Sequence, residues 1–82
     1  MPYIKKENRE VFESIVLPGT ATAGELNYLI TKICQQYIVD HELNYQTLND
    51  ITGALENCKL EFYRRLVSKY EDTKIEENGD VY

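Results

Sequence analysis

Eighty-two residues, 43% of them hydrophobic, describe one small folding unit and exclude both a multidomain architecture and wholesale disorder. A formal net charge of −5 excludes a general binder of DNA or RNA duplexes, which needs a surplus of Lys and Arg against phosphate. Two cysteines are too few for a disulfide-dense secreted scaffold, and neither a membrane-length apolar run nor a signal-peptide-like start is present, so a cytoplasmic chain with no membrane partner is expected.

The first predicted element is a short helix over about residues 6–16. Val11, Phe12, Ile15 and Val16 recur at i, i+1, i+4 and i+5, the pattern of one helical face. Leu17-Pro18-Gly19-Thr20-Ala21 then breaks the chain, because proline and glycine together punctuate structure strongly.

A second helix is expected over about 23–40. Leu26, Leu29, Ile30, Ile33, Cys34, Tyr37 and Ile38 form an uninterrupted apolar stripe. Thr22-Ala23-Gly24-Glu25 fits a capping box, in which the threonine oxygen accepts a backbone N–H three residues on and the glutamate reaches back.

Asn44 suits the N-cap of a third helix, with Leu43 able to pack on Leu48 as a staple. Leu48, Ile51, Leu55, Cys58, Phe62 and Leu66 mark its face, and the helix is expected over about 45–72. Gly53 costs about 1 kcal/mol against alanine and suggests a close helix contact. The tail, 73–82, reads as a turn or extended segment, with Asn78-Gly79 as a turn or C-cap signal; Val81-Tyr82 then lies beside Tyr3-Ile4.

The fold class is therefore all-α: a short N-terminal helix and an antiparallel hairpin of unequal arms. With the short link near Glu42, residues whose numbers sum to about 84 should lie level. The third helix then outruns the second beyond Glu61, and its overhang carries Phe62, Tyr63, Leu66, Val67 and Tyr70. Leaving such side chains in water forfeits about 1.5–3 kcal/mol each. The expectation is a homo-oligomer with Phe62, Leu66, Val67 and Tyr70 at its interface. The same register separates Cys34 and Cys58 by roughly 12 Å along the hairpin, too far for an internal disulfide.

Chemistry is sparse. One histidine and two separated cysteines give no metal-ligand spacing, and no Gly-rich phosphate loop or nucleophile–base pair is written in. His41, just past a helix C-terminus, suits the dipole better than catalysis. Neither enzyme activity, nor a catalytic residue, a metal or a cofactor is expected. One cluster stands apart: Lys59, Tyr63, Arg64, Arg65 and Lys69 put four basic groups against one acid, Glu61, in an otherwise acidic chain. Arginine forks grip phosphates and tyrosine rings stack on bases. Lys5, Lys6 and Arg9 form a second basic group. The competing reading is an ordinary Glu61–Arg65 i, i+4 pair on a solvated helix end.

Met1-Pro2-Tyr3-Ile4-Lys5, Gly24-Glu25-Leu26-Asn27-Tyr28-Leu29-Ile30-Thr31 and Tyr45-Gln46-Thr47-Leu48-Asn49-Asp50 resemble a family of small proteins of unknown function from tailed phages and bacterial genomes. So do Lys59-Leu60-Glu61-Phe62-Tyr63-Arg64-Arg65, Tyr70-Glu71-Asp72 and Glu77-Asn78-Gly79-Asp80-Val81-Tyr82. The likeness spans nearly the whole chain and brings no catalytic residues with it. It implies a phage accessory protein. By type alone, the chain is similar to sponges that sequester nucleotide-derived immune signals. The functional expectation is an anti-defence binding protein that takes a small anionic nucleotide ligand at subunit interfaces through Lys59, Tyr63, Arg64 and Arg65, with Lys5, Lys6 and Arg9 in support. The alternative is an acidic inhibitor or adaptor that binds a host protein through the segment 71–82.

Overall fold

The computed structural model describes residues 2–82, and every regular element among them is helical. A 3-10 turn, Lys6–Asn8, leads into a single turn of α-helix, α1, Glu10–Glu13. The two long elements that follow, α2 (Ala23–His41) and α3 (Tyr45–Phe62), form the antiparallel hairpin. A π-helical turn, Tyr63–Val67, continues α3 without a break into α4, Ser68–Asn78.

Caps set the helix starts. Thr22 Oγ1 accepts the Glu25 N–H at 3.1 Å, and Glu25 returns a carboxylate oxygen to the Ala21 N–H at 3.3 Å, one residue earlier than the standard box. Asn44 Oδ1 accepts the Thr47 N–H at 2.9 Å and opens α3. Thr47 also donates its hydroxyl to the His41 carbonyl at 3.4 Å, tying the end of α2 to the start of α3. Thr47 is 3% exposed and is the one buried residue among those described. Leu43, the expected staple, stays exposed.

Three differences from the sequence reading have physical causes. The first helix shrinks from residues 6–16 to the short turns above. Its Val11, Phe12, Ile15 and Val16 remain exposed, and an isolated helix shorter than about 12–15 residues is marginal without a surface to pack on. Pro18 further disfavours helix at Leu17. The third helix, in contrast, runs past 72. No glycine or proline intervenes before Gly79, and the Lys74 ammonium bonds Glu77 at 3.1 Å and lies 5.4 Å from the Tyr70 ring centroid. Gly79, at φ 89°, ends the helix with its N–H on the Ile75 carbonyl at 2.8 Å. Residues 81–82 make no strand with residues 3–4.

Third, the hairpin register differs by about one turn. Tyr37 donates its hydroxyl to Asp50 at 3.0 Å, and Thr47 meets His41, so level residues sum to 87 or 88 rather than 84. The tight corner at 42–44 draws the arms together sooner than a looser link would. Phe62 then comes level with Leu26, and the overhang begins near Leu66.

The molecule measures 49 × 30 × 30 Å, with a Cα radius of gyration of 16.6 Å. A compact chain of this length has about 12 Å. No hydrophobic side chain among the described residues is buried. A Cβ at Gly53 would meet nothing within 4 Å, so this glycine mediates no close helix contact.

Two substitutions follow. Glu42 holds φ 71° and ψ 155°, a region essentially reserved for glycine, so Glu42→Gly is expected to stabilise the hairpin by about 1 kcal/mol. Gly53→Ala is expected to add up to about 1 kcal/mol by raising helix propensity. Urea unfolding followed by circular dichroism measures both as an increase in midpoint at unchanged slope.

Candidate functional site

The π-helical turn is the departure from regular geometry in the 34-residue rod formed by α3, the turn and α4. Here the Ser68 N–H bonds the Tyr63 carbonyl, five residues back, instead of the carbonyl four back. The Arg64 carbonyl that an α-helix would have paired with this N–H takes the Ser68 hydroxyl at 2.9 Å. The sequence supplies the reason for the wide turn. Its apolar residues there are spaced by four, Cys58, Phe62, Leu66 and Tyr70. On an α-helix, steps of four drift by about 40° each. A wider turn absorbs that drift and keeps the residues in line. Phe62, Leu66 and Tyr70 are accordingly exposed to similar extents, 57%, 59% and 61%.

Three of the expected ligand residues, Tyr63, Arg64 and Arg65, lie in this turn. Their pairing departs from the i, i+4 expectation. Glu61 bonds the guanidinium of Arg64, not that of Arg65 as i, i+4 spacing had suggested. Glu61 receives a second hydrogen bond from the Tyr3 hydroxyl, at 2.6 Å. Its side chain is only 15% exposed. The Arg64 guanidinium, and after it the Tyr3 hydroxyl, hold the Glu61 carboxyl below the usual range, and Glu61 in turn raises Arg64. Arg65 and Lys69 form no ion pair among the described residues.

The other candidates divide. Lys59 sits in the last turn of α3 with its ammonium 3.7 Å from Glu56, an exposed pair of little energetic weight. Arg9 spends its Nε–H on the Ile4 carbonyl at 2.9 Å, which folds the N-terminal arm on itself. Lys5 and Lys6 are exposed on that arm. The Tyr3–Glu61 bond fastens the arm to the rod one turn before Arg64, near the middle of the rod. Tyr3 is the residue that sequence reasoning missed in this role. A tyrosine 58 positions from its acceptor leaves no periodic signal.

A second feature lies between the hairpin arms. Ile30, Ile33, Cys34 and Tyr37 of α2 face Ile51, Ala54, Leu55 and Cys58 of α3 across a groove of about 380 Å³. Its one charged lining residue, Asp50, is occupied by the Tyr37 hydroxyl and by the Gln46 amide at 2.7 Å. The bond to Asp50 is the main cause that raises the Tyr37 phenol above its ordinary value. Both cysteines are free thiols. The shifted register leaves them about one helical turn apart along the hairpin, roughly 6 Å, rather than two. No group of His, Cys, Asp and Glu suited to a metal occurs among the described residues, and no described helix is long and apolar enough to cross a membrane.

The chain belongs to the family described as Domain of unknown function (DUF6899), whose model matches residues 1–81. No curated protein and no solved structure matches it.

The Glu61 cluster should be pH-dependent. Its folded carboxyl titrates below the ordinary 4.5, so the folded state binds this proton more weakly than the unfolded chain. The stabilisation is complete above about 4.5 and is lost as pH falls through the lower folded value. Tyr3→Phe and Glu61→Gln should each flatten this acid limb and speed proteolysis of the N-terminal arm. Urea midpoints between pH 3 and 6, with limited proteolysis at neutral pH, check this.

Proposed function

We propose that this member of the DUF6899 family is a non-catalytic binding subunit. In this reading it self-associates along the overhang of its rod and captures a small anionic, nucleotide-derived ligand beside the π turn. It would serve a phage as an anti-defence sponge, holding the signal without cleaving it. The observation that carries the reading is the joint placement of Tyr63, Arg64 and Arg65 in a π turn, a distortion frequently associated with functional sites. The turn lies next to apolar residues that the chain itself leaves uncovered, Phe62, Leu66 and Tyr70. Val67 is half-buried on the same segment.

The chemistry needed is modest. Arg65 offers a guanidinium without an internal partner, and Arg64 becomes available when an anion displaces Glu61. Tyr63 offers a half-exposed ring for stacking, and Lys59 lies one turn away. Lys5 and Lys6 add positive charge from the tethered arm. Glu61 also accepts from the Tyr3 hydroxyl, so the carboxylate that Arg64 would leave stays joined to the arm.

A second reading rests on the far end of the rod. α4 carries Glu71, Asp72, Glu76 and Glu77 on an exposed helix and Asp80 follows it, a shape suited to a basic host-protein surface.

A thermal-shift panel of cyclic dinucleotides, cyclic oligonucleotides and ADP-ribose derivatives tests the first reading. A true ligand at a hundred times its Kd stabilises by about 2.7 kcal/mol. It should be recovered chemically unchanged after heating. Arg64→Ala with Arg65→Ala should abolish the shift while helix content stays constant. A panel without a responder overturns the ligand, and a converted product overturns the non-catalytic assignment. A host protein captured stoichiometrically, and lost on deleting residues 71–82, would favour the second reading.

A further inference from the structure

The apolar groove between α2 and α3 is a feature for which neither the overhang nor the ligand reading accounts. A two-helix hairpin ordinarily spends its apolar stripes on each other. Here the arms leave them open: Leu26, Ile30 and Ile33 on one side, and Leu48 and Leu55 on the other, are all exposed. The stripes are not ragged remnants. On α2 they step Leu26, Ile30, Ile33, Tyr37, and on α3 Ile51, Leu55, Cys58, Phe62, the alternating three-and-four spacing of a bundle seam. The one charged residue among them, Asp50, is hydrogen-bonded by Tyr37 and Gln46.

The exposed surface points to an occupant larger than a small ligand. The chain exposes 7567 Å², whereas a compact monomer of its 9.6 kDa exposes roughly 5,100 Å². The surplus of roughly 2,500 Å² is about three times what one partner contributes to a standard interface, roughly 800 Å². A small ligand would hide only a few hundred Å² of it. The overhang alone, essentially four side chains, does not use it up either. A second hairpin of the same kind suits this face, which is about as long as α2 and repeats its seam spacing on both arms.

We propose that the α2–α3 groove is the isologous interface between two copies of this chain, which close hairpin on hairpin into an antiparallel four-helix bundle. The core of that bundle is Ile30, Ile33, Tyr37, Ile51 and Leu55, with Cys34 and Cys58 inside it. This deepens the self-association part of the function proposed above by adding a second, larger face. The basic π turns project beyond the bundle, and the overhangs are left to join one pair to the next.

The two cysteines make the test direct. They are the only thiols of the chain, and both line the groove. The full-length protein, freshly reduced, is treated with a chromogenic disulfide reagent, and its mass is measured by light scattering at the same concentrations. The expected result is a multimer in which both thiols react at least tenfold more slowly than in urea, with the slow phase lost on dilution to monomer. Ile33→Glu should lower the mass and unmask both thiols. Leu66→Glu, on the overhang, should leave them protected in a dimer. Should Ile33→Glu fail to fold by circular dichroism, the wild-type thiol rates still decide. A multimer with thiols as fast as in urea overturns this face and leaves association at the overhang standing. A monomer at micromolar concentration overturns both. Slow thiols in a monomer, or an apolar adduct in native mass spectrometry, mean that something other than a second copy fills the groove, and also overturn it. None of these outcomes bears on the nucleotide ligand, which the thermal-shift panel reads separately.

Discussion

The shape of this molecule depends on a polar corner. Thr47 is sealed from solvent, donates its backbone N–H to the Asn44 side-chain oxygen and gives its hydroxyl to the His41 carbonyl at the end of α2. Apolar burial, the usual organiser of a small domain, fully buries no hydrophobic side chain among the described residues. The corner accepts a strained Glu42 to bring the arms round within three residues. Everything downstream inherits its register. Tyr37 meets Asp50, the two cysteines come within a turn of each other, and the rod outruns α2 near the π turn. A looser link would have moved all three.

The rod shows the opposite economy. Its helical hydrogen bonding is continuous from Tyr45 to Asn78, except where the spacing of Phe62, Leu66 and Tyr70 forces a choice between straight backbone and straight apolar line. The backbone yields. The Ser68 hydroxyl moderates the cost by satisfying the Arg64 carbonyl. Glu61 pairs with Arg64 and not with Arg65, so among the described residues one arginine is engaged in an ion pair and its chemically identical neighbour is not.

Much of this was legible in the residues. The Thr22 and Asn44 caps, the unbroken α2 stripe and the unequal arms all follow from local rules, because they depend on neighbours within four positions. What was illegible depended on tertiary context or on fine differences of pitch. The residues from Lys6 to Val16 carry a helical pattern, but a pattern without a surface to pack on does not hold about three turns. The segment from Thr73 to Asn78 looked like a tail because its composition is polar, yet propensity and a Lys74–Glu77 bond suffice when a helix already exists to extend. The π turn hid in a spacing that is also compatible with ordinary helix. Of the candidate ligand groups, the clustering of Tyr63, Arg64 and Arg65 could be read from adjacency, whereas the Tyr3 tether that fastens the N-terminal arm to the rod could not.

A three-residue link between two well-capped helices also orders events in time. Closing so short a loop costs little chain entropy, and helical hairpins with such local contacts assemble on the scale of microseconds to milliseconds. The arms are therefore in place long before any encounter between chains, and covering the groove with a second chain would be a bimolecular step whose pace is set by how much protein the cell has made. At low abundance the open hairpin would be the dominant species, and its greasy cleft the surface that chaperones and proteases meet first.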